Sequence, residues 1–373
     1  MGLVLGMTEF AAIPAGFLGF VGDRIGSKWL TAISYLFLCI CSALMLLPPV
    51  FGVLLVIRFF FGFFRDLSML AIQDYCCRFF PKERQDMVTA VLELSYGISA
   101  LIGVPLLGLA YDAYDWTAPF IIMAVLLFSL LPVVLYVLYK YTGTSYSEEE
   151  GKLQEEDNKP RLGYLSGLQY RNGALAFNLS GLFLNIGANL LATEFGIVLA
   201  EVYKLDEAKA GAASLALSFG EVVGVLAAMS PCIGAFSFRT MRVSGVLAFV
   251  LSVPFVIWGV ASFEATLGLL FVLFAFVEFC TVQRFSRASQ FAGAADAIAM
   301  LGVNVQFQYA GRTIGASIAG VMFVNAGHVA VAVLACLSFL LAVLFTELAV
   351  RQKPDTTQQV GIEQGEQNEV TII

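Results

Sequence analysis

Residues Gly16 to Lys28 read GFLGFVGDRIGSK. An apolar run that opens the chain stops here, and a glycine-containing turn carrying Asp23, Arg24 and Lys28 follows at once. A helix in hydrocarbon that meets a membrane surface produces this order, because Lys and Arg collect in cytoplasmic connections. Gly22 and Gly26 permit the tight turn.

The same alternation runs through the chain. Its 373 residues are 59% hydrophobic and only 13% charged, about half the ~25% charged content of ordinary soluble domains. Apolar runs long enough for a bilayer core of about 30 Å recur. The sequence therefore predicts an all-α polytopic membrane protein. Eleven spans are expected, at 3–21, 29–47, 50–73, 88–110, 118–139, 173–198, 209–233, 243–262, 265–283, 295–324 and 328–350. Residues 3–21 lack a positive leader, contain Glu9 and run into Asp23-Arg24, so no cleavable signal peptide is expected.

Residues 141–171 are polar and rich in Glu and Lys, and they divide the spans into five and six. The expected organisation is an N-terminal bundle over 1–140, a linker over 141–171 and a C-terminal bundle over 172–350. A disordered tail over 351–373 completes it. Sixteen of the 21 Lys and Arg fall in alternate connections, and the other connections hold only Lys204 and Lys209. That asymmetry predicts a cytoplasmic linker and a cytoplasmic carboxyl terminus. It does not specify which membrane.

Several functions have little raw material. The formal charge is -7 and the acids gather in the linker and tail, so no nucleic-acid partner is expected. The only histidine is His328, read as lying in a short loop, and none of the seven cysteines forms a CxxC pair. No catalytic, metal or cofactor residues are therefore assigned. The thiols read as buried small hydrophobes. No GxxxxGK[ST] stretch points to ATP.

The first-loop motif Gly19-Phe-Val-Gly22-Asp23-Arg24-Ile-Gly26-Ser27-Lys28 resembles the G-x-L-A-D-R-x-G-R-K signature of the major facilitator superfamily, with Ser27 at the usual Arg and Val21 at the usual Leu. Arg58-Phe-Phe-Phe-Gly62 is similar to the R-x-x-Q-G motif, with Phe61 at Gln. Asp74 and Phe80-Pro81-Lys82-Glu83-Arg84 resemble the acidic helix end and P-x-E-R turn that follow. Gly97, Gly103, Pro105 and Gly108 are similar to the antiporter-type G-x-x-x-G-P-x-x-G motif, and Asp115-Trp116 with Pro119-Phe120 to the W-R-x-x-F lead-in to the next helix. The segment Phe219-Gly220-Glu221-Val222-Val223-Gly224, Glu278-Phe279 and Gly311-Arg312 with Gly315 resemble efflux-type members.

The resemblance implies a two-bundle fold and secondary transport by alternating access. The family has twelve helices, with its signature after the second; here it follows the first. The expected reading is that Met1 is internal to a longer product, the alternative being eleven true spans. The resemblance also implies a conformational latch formed by Gly19, Asp23, Arg24, Gly26, Lys28, Asp74 and Arg84. Asp23 would sit at the start of a helix beginning near residue 295, where unpaired N–H groups favour a carboxylate.

Ionisable groups inside spans are costly and face protein or water. Arg58 either binds an anionic group or pairs internally with Glu93 or another acid. Glu9, Glu93, Glu194, Glu221 and Glu278 are candidates for proton uptake, Glu194 being read instead as a helix-end or helix-packing acid. Asn178, Asn185 and Asn189 share one helical face, and so do Asn304, Gln308 and Arg312. Either stripe contacts substrate or bonds neighbouring helices. Gly311, Gly315 and Gly320 are read as close-packing positions.

The expected function is secondary transport of a small polar or amphipathic solute, with protons as coupling partners and the lipid bilayer as surroundings. The Gly/Pro-rich fourth span tilts the reading toward exchange or efflux. A transporter-like receptor or scaffold, and an integral-membrane lipid enzyme, are the rival readings. Thr371-Ile372-Ile373 also has the form of a PDZ-type ligand.

Overall fold

The computed structural model describes residues 27–47, 50–79, 82–141, 173–230, 238–257, 262–288 and 297–352, together with 7, 8, 10, 11, 14 and 291. Nine helices occupy them: α1 (Ser27–Leu44), α2 (Phe51–Phe79), α3 (Lys82–Ala113), α4 (Ala118–Tyr141), α5 (Ala174–Glu201), α6 (Glu207–Met229), α7 (Phe238–Ile257), α8 (Phe263–Ala288) and α9 (Ala297–Gln352). No strand occurs among the described residues. Among the described residues, six helical segments are long and apolar enough to cross a membrane: Ala118–Lys140, Ala174–Glu201, Lys209–Met229, Phe238–Ile257, Phe263–Phe285 and Gly302–Gln352.

A helix stands at each expected span from the second onward. The first, 3–21, lies almost wholly outside the described residues. α9 answers to two spans because Gly327 breaks it, at φ 77° and ψ 175°. Glycine alone adopts that backbone region readily. The two rods on either side of it are called its arms below. His328 therefore opens a helical arm directly and does not lie in a loop.

Two further corrections concern charge. The expected spans 209–233 and 243–262 leave Arg239 and Arg242 in a connection, yet α7 begins at Phe238. Arg242 reaches Glu347 of α9 at 2.9 Å, so the helix extends past its apolar window with a partner for its charge. Arg284 and Arg287 likewise belong to α8, and Arg284 is only 2% exposed.

Close helix approach holds the later helices together. In lipid there is little hydrophobic force between helices, so small residues that admit a neighbouring backbone do this work. Both arms of α9 pack on α5. A side-chain carbon added at Gly311 would collide with the Leu182 carbonyl oxygen, and one at Gly315 would meet the Ile186 oxygen at 2.7 Å. On the α5 side, a side-chain carbon added at Gly187 would meet the Ala335 carbonyl oxygen and the Phe339 ring of the second arm, each at 3.1 Å. Gly320 departs from expectation, for it opens on free space. Gly220 and Gly224 let α6 meet the carbonyls of Phe271 and Ala275 on α8. Leu184, Leu190, Leu270, Leu273 and Phe339 fill the resulting core.

α6 also joins the earlier helices to the later ones. Gly97 of α3 abuts Val222, and Leu94 packs on Val225, Ala228, Phe279 and Val282. Among the earlier helices, Phe37 stacks on Phe64 at 4.5 Å, while Phe59, Phe60, Phe63 and Phe64 contact one another along α2. Gly62, the motif glycine, lies against the backbone of Thr8. The outward faces stay apolar, as with Val125, Val133 and Tyr136 of α4, which suits contact with lipid tails. Cys39, Cys41 and Cys280 are buried free thiols and Cys336 is partly buried; Cys76, Cys77 and Cys232 have no described side-chain surroundings.

The start of α4 carries a testable detail. Asp115 accepts a hydrogen bond from the Thr117 hydroxyl and another from the Thr117 backbone N–H at 2.7 Å. These bonds, the hydroxyl's first, hold its carboxyl below the ordinary range. The stabilisation is present above the unfolded carboxyl value of about 3.9 and is lost as pH falls through the lower folded value. Asp115→Ala should therefore lower the melting temperature at neutral pH, and the difference from wild type should vanish in strong acid. A difference independent of pH would show that the carboxylate plays no part.

Candidate functional site

A cavity of about 300 Å³ lies where the earlier and later helices meet. From the earlier helices come Asp66, Met69 and Leu70 of α2 and Gly97 of α3. Asn185 and Asn189 of α5 line the opposite side with Glu221 of α6, Glu278 and Thr281 of α8, and Gln308, Tyr309 and Arg312 of α9. The size falls at the lower end of small-molecule sites, roughly 300–1,000 Å³.

Local sequence explains how these groups reach one surface. Asn304, Gln308 and Arg312 are successive fourth residues on the first arm of α9, so they form one stripe. Asn178, Asn185 and Asn189 form the facing stripe on α5. Gly311 and Gly315 bring the two helices close enough for the stripes to bond. Asn304 donates to Asn178 at 3.0 Å, and Gln308 donates to Asn304 at 2.7 Å. Asn185 reaches Gln308 at 3.5 Å, and Arg312 donates from Nε to Asn185 at 3.1 Å. The result is a continuous amide ladder ending in a guanidinium.

The ladder divides the candidates. Asn178 and Asn304 are fully buried and do not line the cavity; they bond helix to helix. Asn185 and Gln308 do both. Asn189 donates to the Asn185 backbone oxygen at 3.1 Å and also faces the cavity. Arg312 lies over the Tyr309 ring, 5.4 Å from its centroid, and its charge acts on Glu221. Gly224 admits α8 closely, with the Glu278 Cβ 3.1 Å from where a side chain would begin. That contact sets Glu278 on the same wall as Glu221.

Other candidates fall elsewhere. Arg58 makes no ion pair among the described residues. Its guanidinium lies over Phe120, 5.6 Å from the ring centroid, a cation–π contact; the Glu93 side chain, its expected acid partner, lies outside the described residues. Lys28 stands half-buried at the start of α1. Gly19, Asp23, Arg24 and Gly26 lie outside the described residues, and so do the side chains of Asp74, Arg84 and Glu93.

Two residues escaped the sequence reading. Asp66, 1% exposed, lines the cavity while receiving Arg65 at 3.0 and 3.2 Å; its place next to an arginine carries no sign of a cavity. Arg284 donates to the Phe177 carbonyl at 3.1 Å, to the Ser180 hydroxyl at 2.5 Å and to the Thr346 hydroxyl at 3.0 Å. Its guanidinium stands 5.3 Å from the Phe177 ring centroid. The polar run Thr281, Gln283, Arg284 in the last turns of an apolar helix was the available signal.

An all-helical membrane protein with a charged cavity between its earlier and later helices has the build of a solute carrier. The Major Facilitator Superfamily family model matches residues 1–304, and the chain belongs to that family of membrane transporters. Comparison with curated proteins gives no match. Among solved structures, the crystal structure of the human organic anion transporter MFSD10 (TETRAN) is similar, with a TM-score of 0.69 and 15% sequence identity over 92% of this chain and 83% of that one. At that identity the likeness concerns the fold.

Proposed function

We propose that the chain is a secondary active transporter that carries a small polar or amphipathic solute by alternating access, with protons as the coupling ion. The observation that carries this reading is the cavity of about 300 Å³, bounded by helices from both sides of the 141–171 segment and furnished with carboxylates, amides and a guanidinium. Ionisable groups inside a membrane are costly and, where they line a cavity, mark a functional pathway by default. Organic anions appear in the description of the similar structure. Here Asp66 and Arg65 compensate each other, which leaves Glu221 and Glu278 facing the single cation Arg312 around the cavity. A solute bearing an amine beside hydrogen-bonding groups suits that lining better than a bare anion.

The same reading makes 1–140 and 172–350 the two rocking bundles, with the linker and tail cytoplasmic. The turn containing Asp23 would latch against the start of α9 and release as the bundles pivot. The test is solute flux in proteoliposomes containing the full chain, with an imposed pH gradient and a panel of amine-bearing and anionic solutes. Gradient-dependent uptake is expected, and Glu221→Gln or Glu93→Gln should abolish the dependence on the gradient. Saturable binding with no flux for any solute would replace transport by a receptor role.

A further inference from the structure

A second void lies among the later helices, apart from the cavity. It measures about 10 Å³, room for one water molecule. Glu194 lines it from α5, Phe255 from α7, Thr266 and Leu270 from α8, and His328 from α9. Of the groups lining it, only Glu194 and His328 can carry charge. Glu194 is 6% exposed, and no hydrogen bond or ion pair reaches its carboxyl among the described residues. His328 is the sole histidine of the sequence and directly follows the Gly327 break.

We infer that Glu194 and His328 form a proton-binding pair, relaying a proton between carboxyl oxygen and imidazole nitrogen through the one-water void. A bare carboxylate buried without donors costs several kcal/mol, so a group that supplies or accepts a proton across the void relieves it. Imidazole is the side chain whose charge changes near neutral pH. The transfer balances: the carboxylic O–H releases a proton, the imidazole binds it, and carboxylate faces imidazolium. A second proton returns the carboxylate to its acid.

The surroundings isolate the pair. The Thr266 hydroxyl is already donated to the Ser262 carbonyl at 2.8 Å and meets the Tyr203 hydroxyl at 3.4 Å. At this end of the helices Glu201 and Glu264 are exposed. Asp206 and Lys209 at the start of α6 are bonded to each other at 2.8 Å. None of these four lines the void. Because His328 begins the second arm of α9, its charge acts at the junction of the two arms. The pair's role as a coupling site rests on the transporter reading; its existence as a proton site does not.

One histidine gives one imidazole signal, so magnetic resonance of the full chain in lipid nanodiscs reads His328 without assignment, provided the affinity tag is histidine-free. Infrared difference spectra between about pH 5 and about pH 9 read protonated carboxyl groups. Glu194→Gln should displace the His328 imidazole signal at fixed pH and remove one carboxylic C=O band. An unmoved imidazole signal, or a spectrum that keeps every band, overturns the pair. If Glu194→Gln does not accumulate, His328→Gln should shift the carboxylic band of the otherwise intact protein, and an unmoved band overturns it equally. Both readouts need no solute. Flux that fails while they succeed removes the transporter reading and leaves the proton site.

Discussion

Gly311→Leu is expected to dismantle the seam between α5 and α9. The full chain should accumulate poorly, and the recovered protein should melt far below wild type. A carbon at 311 would collide with the Leu182 carbonyl oxygen and approach the Asn185 Cβ at 3.0 Å. Backbone cannot turn aside as a flexible side chain can. Leucine would force the helices apart, at roughly 1–3 kcal/mol for overpacking alone. Separation also pulls Asn304 and Gln308 away from Asn178 and Asn185. Each buried amide left without its partner costs about 1–3 kcal/mol more. Gly320→Leu is the control, because that position on the same arm opens on free space. It should melt near wild type. Equal melting temperatures for the two variants would show that close approach at Gly311 does not hold the seam.

This contrast also marks how far the sequence could be read. Composition and apolar run length foretold helices and their approximate places, because a helix in lipid must satisfy its own backbone and cannot vary much in length. The stripe Asn304, Gln308, Arg312 was visible because helical spacing alone puts those residues on one face. Which of them faces a cavity was not visible. Asn178 and Asn304 are amides at the same helical spacing as Asn185 and Gln308, yet they bond to each other across a seam set by glycines and stay out of the cavity. Arg284 was hidden for a related reason. A hydropathy window pushes a charge to the nearest connection, whereas its acceptors, Phe177 and Ser180, lie 107 and 104 residues away. Gly320 was misjudged because small size shows where packing is permitted, not where a neighbour stands.

Arg312→Ala is expected to lower both stability and solute affinity, and a second substitution should separate the two effects. Arg312 holds Asn185 at 3.1 Å, stands over Tyr309 and places its charge where Glu221 feels it. Truncating it orphans the Asn185 oxygen and leaves Glu221 without its compensating cation. Part of the resulting cost is the penalty of the charge left behind without its neighbour. If that penalty belongs to Glu221, the double variant Glu221→Gln, Arg312→Ala should melt well above Arg312→Ala alone, because the two sites are coupled and their costs do not add. Solute affinity should not recover in the double variant, since the guanidinium facing the cavity is still missing. A loss of about 2 kcal/mol corresponds to roughly a thirtyfold weaker Kd. Arg312→Lys should recover little of it, because an ammonium cannot reproduce the planar donor fork that spans Asn185 and the cavity. Recovery of affinity in the double variant would make Arg312 a structural counter-ion and shift solute recognition to the carboxylates and amides around it.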